Sequence, residues 1–589
     1  MRAAALLCTV LLTTAIGAAG ARAQAATPTS HIEAGLPPGN PISPDLFRPE
    51  SQTKPPPGFQ IGARQAVRIA EGASVVRKAR ARHPGLSGMA YISPLPLQSG
   101  RFYHWEVIFS AGGKWYAEVD LTGNGRILET QTAPDVGWNL LRGYPGVLGG
   151  KLNAPYIWLP LCLLFLLPFV DPRRPFRLLH LDLLMMLAFG ISQFFFTAGR
   201  PDISVPLVYP FLFYVVGRMI VAALRPARRK GPLIPYMGTP LLASVVAVVL
   251  ALRIGFGLTD SRLFDISTAG VIGADRIEHG LPLYVYNNYY GDTYGPVNYL
   301  LYVPSELAFP YNGPNGARPA ARTATLAFDL LTITGLIILG RRLRPGRRGT
   351  RLGLALAFAW TAYPYTSLVI ASNTNDTLVP LFVVWGLVFM NSPPARGLLT
   401  GLGSLTKFAP LLVAPVMAVG RGPFRLRPVL IASGAMVLCW VVLIGLFLPD
   451  GGVSEFWKAT LGFQFHRTSP LSIWVRDPSL DWLRTVMEVL AAGLAIGAAF
   501  VPSRRTTGQV AALCAAIFAA SQIPANYWLY FYVVWFAPFV LIALFEEHNE
   551  LGPLQDSVTS SLRKPVRMSQ PDSVTATRSS ILTPTDPGT

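Results

Sequence analysis

Charged side chains beside apolar runs are the residues of this sequence best suited to chemistry. Asp265 stands in LFDISTAG, soon after one such run ends. A carboxylate at a membrane surface loses part of its hydration, which raises its pKa toward neutrality and lets it act as a general base. Asp also caps helices readily, and the Ile-Ser-Thr-Ala-Gly that follows suits a helix start. Both roles stay open for Asp265 from the sequence.

Lys407 is the cation placed most unusually, because it lies inside the apolar segment GLLTGLGSLTKFAPLLVAP. A charge at membrane depth is costly and is commonly functional. We predict that Lys407 binds an anionic group such as a phosphate, whose negative charge a cation stabilises. The alternative is that its long side chain reaches the membrane interface. His466 and Arg467 of QFHRTSP are further candidates for this phosphate site, or they contact lipid headgroups.

Two further polar motifs suit the binding of a polar substrate. Asn375 and Asp376 belong to NTNDTLV, which opens an apolar run, while Asp292 and Tyr294 belong to GDTYGP. Asp376 either caps the helix that follows or holds the substrate. We predict that these four residues bind substrate.

Metal and disulfide chemistry are not predicted. Neighbouring Glu278 and His279 cannot easily face one ion from a helix, even with Asp275 nearby, and the sequence has no HExxH pair. The cysteines lie in apolar runs without CxxC spacing, at Cys8, Cys162, Cys439 and Cys514. No metal and no cofactor are therefore expected.

The overall composition indicates a membrane protein. Of the 589 residues, 51% are hydrophobic and only 14% are charged, with a mean hydropathy of +0.40. The net charge of +19 comes from short basic clusters between apolar runs. Such clusters mark cytoplasmic loops, so the charge indicates topology and not nucleic-acid binding.

The region before the apolar runs divides into three parts. Residues 1–25 resemble a signal peptide, either cleaved or retained as a signal anchor. Residues 26–58 form a Pro-rich linker, and residues 59–145 contain a small domain. Within that domain, IGARQAVRIAEGASVVRKARARHP predicts one helix, and FYHWEVIFS, KWYAEVDLT and RILETQT predict an antiparallel meander. This order of elements resembles a PepSY-like domain.

The rest of the chain predicts a polytopic α-helical membrane protein. We expect about twelve transmembrane helices, since each apolar run approaches the roughly 20 residues that a span needs. Residues 152–232 provide three accessory spans, residues 233–545 the core, and residues 546–589 a disordered cytoplasmic tail. Two segments, 294–311 and 398–420, either cross the membrane or lie in it as interfacial or re-entrant pieces.

Basic clusters set the predicted sides of the membrane. RPARRKG, RRLRPGRRGTR, RGPFRLR and PSRR fall inside, whereas the small domain, the Asp265 segment, NTND, FQFHRTSPLSIW and QIPANYW fall outside. The candidate residues thus share the outer face of the cytoplasmic membrane.

These motifs occur in an order that resembles a known family. An outer-loop Asp, the AG..GA...I..G.PLY run, YGP, NTNDTLV, GLGSLTKFAPLLVAP and FQFHRTSPLSIW are similar to the membrane glycosyltransferases of the GT-C superfamily, nearest to family 87. The resemblance covers residues 234–545 and leaves out the small domain and the first three spans.

The resemblance implies an inverting transfer of a mannose- or pentose-type sugar from a polyprenyl-phosphate donor to a lipid or glycan acceptor. It implies that Asp265 is the general base, with Asp260, Asp275 and Asp292 as rivals. In that reaction Lys407, His466 and Arg467 would hold the donor phosphate, and Asp376 the sugar or the acceptor. Two other functions stay open: a transporter or flippase of a lipid-linked envelope intermediate, and a non-catalytic sensor or scaffold. The expected partners are membrane lipids, this donor and its acceptor, and no nucleic acid.

Overall fold

The small domain is a four-stranded antiparallel sheet with two helices on one face. The computed structural model describes residues 48–97, 100–143, 148–225, 230–259, 263–284, 293–312 and 316–549. The predicted signal peptide and most of the predicted tail therefore lie outside the described residues. The sheet order is β1-β2-β3-β4. Its elements are α1 (Ala63–Glu71), α2 (Ser74–Arg82), β1 (Ser87–Leu97), β2 (Gly100–Ala111), β3 (Lys114–Leu121) and β4 (Ile127–Thr132).

Two details of this domain differ from the sequence prediction. The predicted single helix is divided after Glu71, where Gly72 follows as the C-cap, because glycine weakens a helix interior. Strand β1 was not predicted, since it carries Pro94 and Pro96. Proline cannot donate to a neighbouring strand, but β1 lies at the edge of the sheet, where a donor is dispensable.

Alternation along β2 gives the sheet two different faces. Trp105, Val107 and Phe109 are fully buried and form one core cluster with residues of α1 and α2. The side chains that alternate with these three along β2 include those of His104 and Glu106. They consequently lie on the face away from the helices.

The remaining chain is mostly helical. In chain order the helices are α3 (Pro155–Leu166), α4 (Leu178–Thr197), α5 (Pro201–Leu224), α6 (Thr239–Thr259), α7 (Asp265–Glu278), α8 (Pro296–Leu300), α9 (Val303–Ala308), α10 (Ala317–Leu343), α11 (Gly346–Ala362), α12 (Pro364–Ala371), α13 (Leu378–Val388), α14 (Pro393–Lys407), α15 (Ala414–Val419), α16 (Leu426–Leu446), α17 (Gly452–Trp457), α18 (Phe463–His466), α19 (Ile473–Arg476), α20 (Asp481–Gly497), α21 (Thr507–Gln522) and α22 (Val533–Glu546). Short 3₁₀ turns include Asn375–Thr377, Ala409–Val413 and Tyr530–Tyr532.

Several of these helices mark a multi-pass membrane protein. Within the described ranges, α4, α5, α6, α10 and α16 are long and apolar enough to cross a bilayer, and α11 with α12 forms a sixth candidate bent by 57°. The most apolar stretch of α16 is only 17% buried, and it exposes Leu430, Leu438 and Val441. An apolar surface of this kind is suited to lipid.

The two ambiguous segments form short pieces. Residues 294–311 contain α8 and α9, of five and six residues, each much shorter than the roughly 20 residues of a spanning helix. In 398–420, α14 ends at Lys407, Phe408 adopts a left-handed φ of 51°, and a 3₁₀ turn and α15 follow. The break thus comes directly after the candidate cation.

Basic segments that the sequence assigns to one side meet at one end of the helical part. Two short strands, β5 (Lys230–Pro232) and β6 (His548–Asn549), pair in parallel. Arg344 Nη1 donates to the carbonyl oxygen of His548 at 2.7 Å. The backbone N–H of Arg505 donates to the carbonyl oxygen of Arg421 at 3.0 Å.

Segments assigned to the other side also contact one another. Gln464 Nε2 donates to the carbonyl oxygen of Thr293 at 3.2 Å. The backbone N–H of Ser469 donates to the carbonyl oxygen of Asn526 at 2.8 Å. The grouping into two ends agrees with the predicted topology; which end faces the cytoplasm stays a prediction.

Candidate functional site

A buried ion pair between Asp376 and Lys407 lies at the centre of the candidate site. Lys407 ends α14, and Asp376 belongs to the 3₁₀ turn before α13. Lys407 Nζ lies 2.5 Å from Asp376 Oδ1, and Trp535 Nε1 donates to the same oxygen at 2.8 Å. Asp376 is completely buried and Lys407 is 8% exposed. Lys407 is therefore directed into the protein and not to its surface. Thr377, not Asp376, is the N-cap of α13.

Aromatic rings surround the ammonium group of Lys407. Its Nζ lies 5.7 Å from the ring centroid of Tyr294 and 5.6 Å from those of Tyr532 and Trp535. The rings of Tyr532 and Trp535 are themselves stacked at 4.1 Å. Contacts of this length stabilise a cation where water is scarce. The predicted substrate residue Tyr294 is thus brought to Lys407.

Arg467 provides a second cation beside this cluster. Its guanidinium lies 3.7 Å from the centroid of the Tyr527 ring, and its Nη2 donates to the Tyr527 hydroxyl at 2.8 Å. It interacts electrostatically with Lys407 and with Asp265. The neighbouring His466 is exposed, and its ring bonds to the carbonyl of Gly462 in its own helix. Of these two predicted phosphate ligands, the structure brings only Arg467 to the site.

Asp265 is the first residue of α7, and Phe264 is the N-cap. Its Oδ1 accepts the N–H of Ile266 at 2.8 Å, and a carboxylate in a first turn is favoured by the helix dipole. Unlike Asp376, Asp265 is exposed. Its charge is close enough to interact with Arg467 and Lys407. Asp265 therefore supports its helix and also lies within electrostatic range of the two cations.

Polar atoms without partners collect around the ion pair. Asn375 Nδ2 donates to Asn298 Oδ1 at 2.6 Å, but several other buried atoms have no hydrogen-bond partner within the described part of the chain. These are Ser372 Oγ, Thr374 Oγ1, Asn375 Oδ1, Asp376 Oδ2, Thr377 Oγ1 and Asn298 Nδ2. Because an unpaired buried polar group costs about 1–3 kcal/mol, such a collection is suited to a ligand with many hydroxyl groups.

Backbone strain marks the same place. Asn373 has a φ of 52° and Phe408 a φ of 51°, so both are non-glycine residues in the left-handed region. Such conformations collect at functional sites, where the surrounding packing maintains them. They stand on the two segments that supply Asp376 and Lys407.

The small domain reaches the site through the segment that leaves its sheet. Arg476 Nη2 lies 2.6 Å from Asp135 Oδ1, and the Trp138 ring lies 6.0 Å from that of Tyr527. Burial raises the pKa of Asp135, whereas Arg476 lowers it. The aromatic partner of Arg467 is thus also a partner of the small domain.

Some site residues were not predicted, and two predicted carboxylates cannot be placed. Asp260 and Asp292 lie outside the described residues. Trp535, Tyr532 and Tyr527 come from YWLYFYVVW, whose dense aromatic residues were the available signal. Asn298 is fully buried within PVNYL, and an amide in a short apolar segment was its signal.

A second buried ion pair has a structural character. Arg253 of α6 and Asp329 of α10 are in direct contact. Trp360 Nε1 donates to Asp329 Oδ1 and Arg253 Nη1 to Thr366 Oγ1, both at 2.8 Å. Both charges are thereby satisfied, and the pair ties the helices together. Charges within apolar runs were the signal for this pair as well.

The chain was compared with models of protein families, with curated proteins and with solved structures, and nothing matches it. The resemblance to GT-C enzymes consequently rests on the motifs of the sequence. What is shown is a mostly helical chain with five or six candidate spans and a small antiparallel sheet domain.

Proposed function

We propose that this protein is a GT-C-like membrane glycosyltransferase. It transfers a sugar from a polyprenyl-phosphate donor to a hydroxyl of a lipid or glycan at the outer face of the cytoplasmic membrane. The observation that supports this most is the Asp376–Lys407 pair. It lies among unpartnered polar atoms and within electrostatic range of the exposed carboxylate of Asp265.

Asp265 is the proposed general base. An inverting transfer needs a carboxylate that the acceptor hydroxyl can reach, so that its proton leaves as the oxygen attacks the anomeric carbon. Asp265 is exposed, whereas Asp376 is buried and bound to Lys407 and Trp535. Asp376 is therefore better suited to positioning Lys407 than to accepting a proton.

Lys407 and Arg467 are the proposed phosphate ligands. As the bond between the anomeric carbon and the phosphate oxygen breaks, negative charge grows on the polyprenyl phosphate. Cations fixed in advance stabilise that charge most where water is excluded. Lys407 is held by Asp376 and Arg467 by Tyr527, so both are ordered before the donor arrives.

The proposed sugar pocket uses the amides and hydroxyls beside the ion pair. Asn298, Asn375 and Thr374 each offer a buried atom that lacks a partner in the described ranges. A hexose or pentose presents hydroxyl groups that both donate and accept, and it can satisfy these atoms. This pairing would reject ligands without hydroxyls.

The full topology belongs to the same proposal. Besides the candidate spans, five apolar helical segments within the described ranges have 10–17 residues. If these also cross, the total approaches the predicted number of about twelve spans, with the small domain and the site outside.

The test measures the transfer of labelled sugar by the purified protein in lipid nanodiscs. The donors are radiolabelled polyprenyl-phosphate mannose and polyprenyl-phosphate pentose, and the acceptors are extracted envelope lipids and glycans. We expect Asp265→Asn to lower the transfer rate by about 10²–10⁴-fold, the usual contribution of a general base. Donor affinity should change little, because Asp265 does not bind phosphate.

Asp275→Asn is the matched control. Asp275 lies on the same helix but pairs with His279 at 3.3 Å, so this variant should keep wild-type transfer. Full activity of Asp265→Asn would move the base to another carboxylate. If the wild-type protein transfers no sugar but translocates the donor lipid in liposomes, the transporter function replaces the proposal.

A further inference from the structure

The sheet of the small domain brings three metal-binding side chains to one face. His104 and Glu106 are two residues apart on β2, so they point to the same side. Glu106 lies directly opposite Asp120 of β3 in the antiparallel register, which adds Asp120 to that side. The three residues are on the face away from α1 and α2, because Trp105 and Val107 fill the other face.

The distances within this trio suit a metal ion. One ligand atom from each residue can be chosen so that all three lie within 4.8 Å of one another. His104 Nε2 and Asp120 Oδ1 are 3.5 Å apart. Ligands at about 2.0–2.2 Å around a tetrahedral cation are roughly 3.3–3.6 Å apart, so this pair already has the required spacing.

Burial distinguishes the trio from an acidic surface patch. His104 and Glu106 are completely buried, and Asp120 is 1% exposed. A divalent cation would match the charge of the two carboxylates. The imidazole adds a nitrogen ligand, which favours Zn²⁺ and similar ions over Mg²⁺ or Ca²⁺.

A separate observation comes from the edge strand. Ser93 of β1 lies directly opposite His104, so its side chain shares the face of the trio. It is fully buried, and its hydroxyl has no hydrogen-bond partner in the part of the chain that the structure describes. An unpartnered hydroxyl beside three ligand side chains can bond to a water on the metal.

We propose that His104, Glu106 and Asp120 bind a divalent transition-metal ion of the Zn²⁺ type, with Ser93 in the outer shell. This site goes beyond the proposed transferase activity and revises the expectation that the chain has no metal. It would fasten β2 to β3. The sequence could not indicate it, because strand register alone brings Asp120 to His104 and Glu106.

The experiment uses the full-length protein in detergent. After removal of metals with a chelator, the protein is dialysed against micromolar Zn²⁺, and bound zinc is measured by inductively coupled plasma mass spectrometry. We expect one zinc ion per chain in the wild-type protein and at least a tenfold weaker affinity in His104→Gln and in Asp120→Asn. His83→Gln is the control, because His83 stacks on Tyr116 instead and should leave zinc uptake unchanged.

A second measurement distinguishes the loss of the metal site from misfolding of a variant. Zinc should raise the melting temperature of the wild-type protein, since a ligand that binds the native state stabilises it, and it should not raise that of His104→Gln. Two results would overturn the proposal. In the first, the wild-type protein takes up no more zinc than the double variant His104→Gln, Asp120→Asn. In the second, both single variants take up as much zinc as the wild-type protein.

Discussion

At the scale of single residues, the ion pair of Asp376 and Lys407 has two separable roles. Each charge compensates the other in a buried place, and Lys407 is also the proposed phosphate ligand. Removing one partner of a buried pair leaves an uncompensated charge, which typically costs about 3–5 kcal/mol. Replacing both partners together can be nearly neutral.

We therefore expect Lys407→Met and Asp376→Asn each to lower the stability by about 3–5 kcal/mol. The double variant should recover most of this loss, because the introduced asparagine side chain keeps an oxygen for Trp535 Nε1 while no charge is left unpaired. The measurement is the melting temperature of the four proteins in detergent, combined in a double-mutant cycle.

Donor binding distinguishes the second role. The double variant should be stable and yet bind the polyprenyl-phosphate donor much more weakly than the wild-type protein. Wild-type donor affinity in a stable double variant would assign Lys407 to structure alone.

At the scale of elements, the end of α7 carries a pH-dependent contact with α9. Glu278 ends α7 and faces the buried Glu306 of α9; both lie outside the candidate spans. Burial and the hydrogen bond to the Glu306 carboxyl raise the pKa of Glu278 to about 7. Asp275 and His279 are the other titratable groups that act on Glu278.

The sign of the effect follows from this raised pKa. The folded state holds the proton of Glu278 more tightly than the unfolded state, so the contact contributes most at low pH and loses its contribution as pH rises to about 7. Above that pH the two carboxylates repel each other.

We expect amide hydrogen exchange in α7 and α9, corrected for its intrinsic pH dependence, to accelerate as the pH rises through about 7. Glu278→Gln should remove this change because it cannot ionise. His279→Gln is the control and should retain it, since the Glu278 and Glu306 carboxyls remain. An unchanged pH dependence in Glu278→Gln would show that Glu278 is not the group responsible.

At the scale of the whole molecule, the two polar ends predict which surfaces face each compartment. Ser454 and Ser503 are exposed residues. Ser454 lies in GGVSEFW, which precedes FQFHRTSPLSIW and which the sequence likewise assigns to the outside, and Ser503 lies in PSRR, which it assigns to the inside. In a chain whose own cysteines are replaced, Ser454→Cys should react with a membrane-impermeant maleimide in spheroplasts. Ser503→Cys should react only after permeabilisation. The reverse pattern would invert the topology and place the candidate site inside.

The sequence by itself determined the class of the molecule. Apolar runs of bilayer length predict membrane helices because a helix satisfies its own backbone in lipid. Basic clusters grouped the loops into two sets, and the members of each set contact one another in the structure. Local patterns also predicted β2, β3 and β4. They missed β1, because whether its prolines are tolerated depends on its place at the sheet edge.

Only the tertiary structure decided which polar residues act together. Lys407 and Asp376 were separate candidates in the sequence, and the fold of α13 and α14 makes them one ion pair with Trp535. Register likewise joins His104 to Asp120. The physical reason is that charge compensation and ligand geometry depend on distances of a few ångströms between elements, whereas a sequence pattern reports only how each element repeats along its own axis.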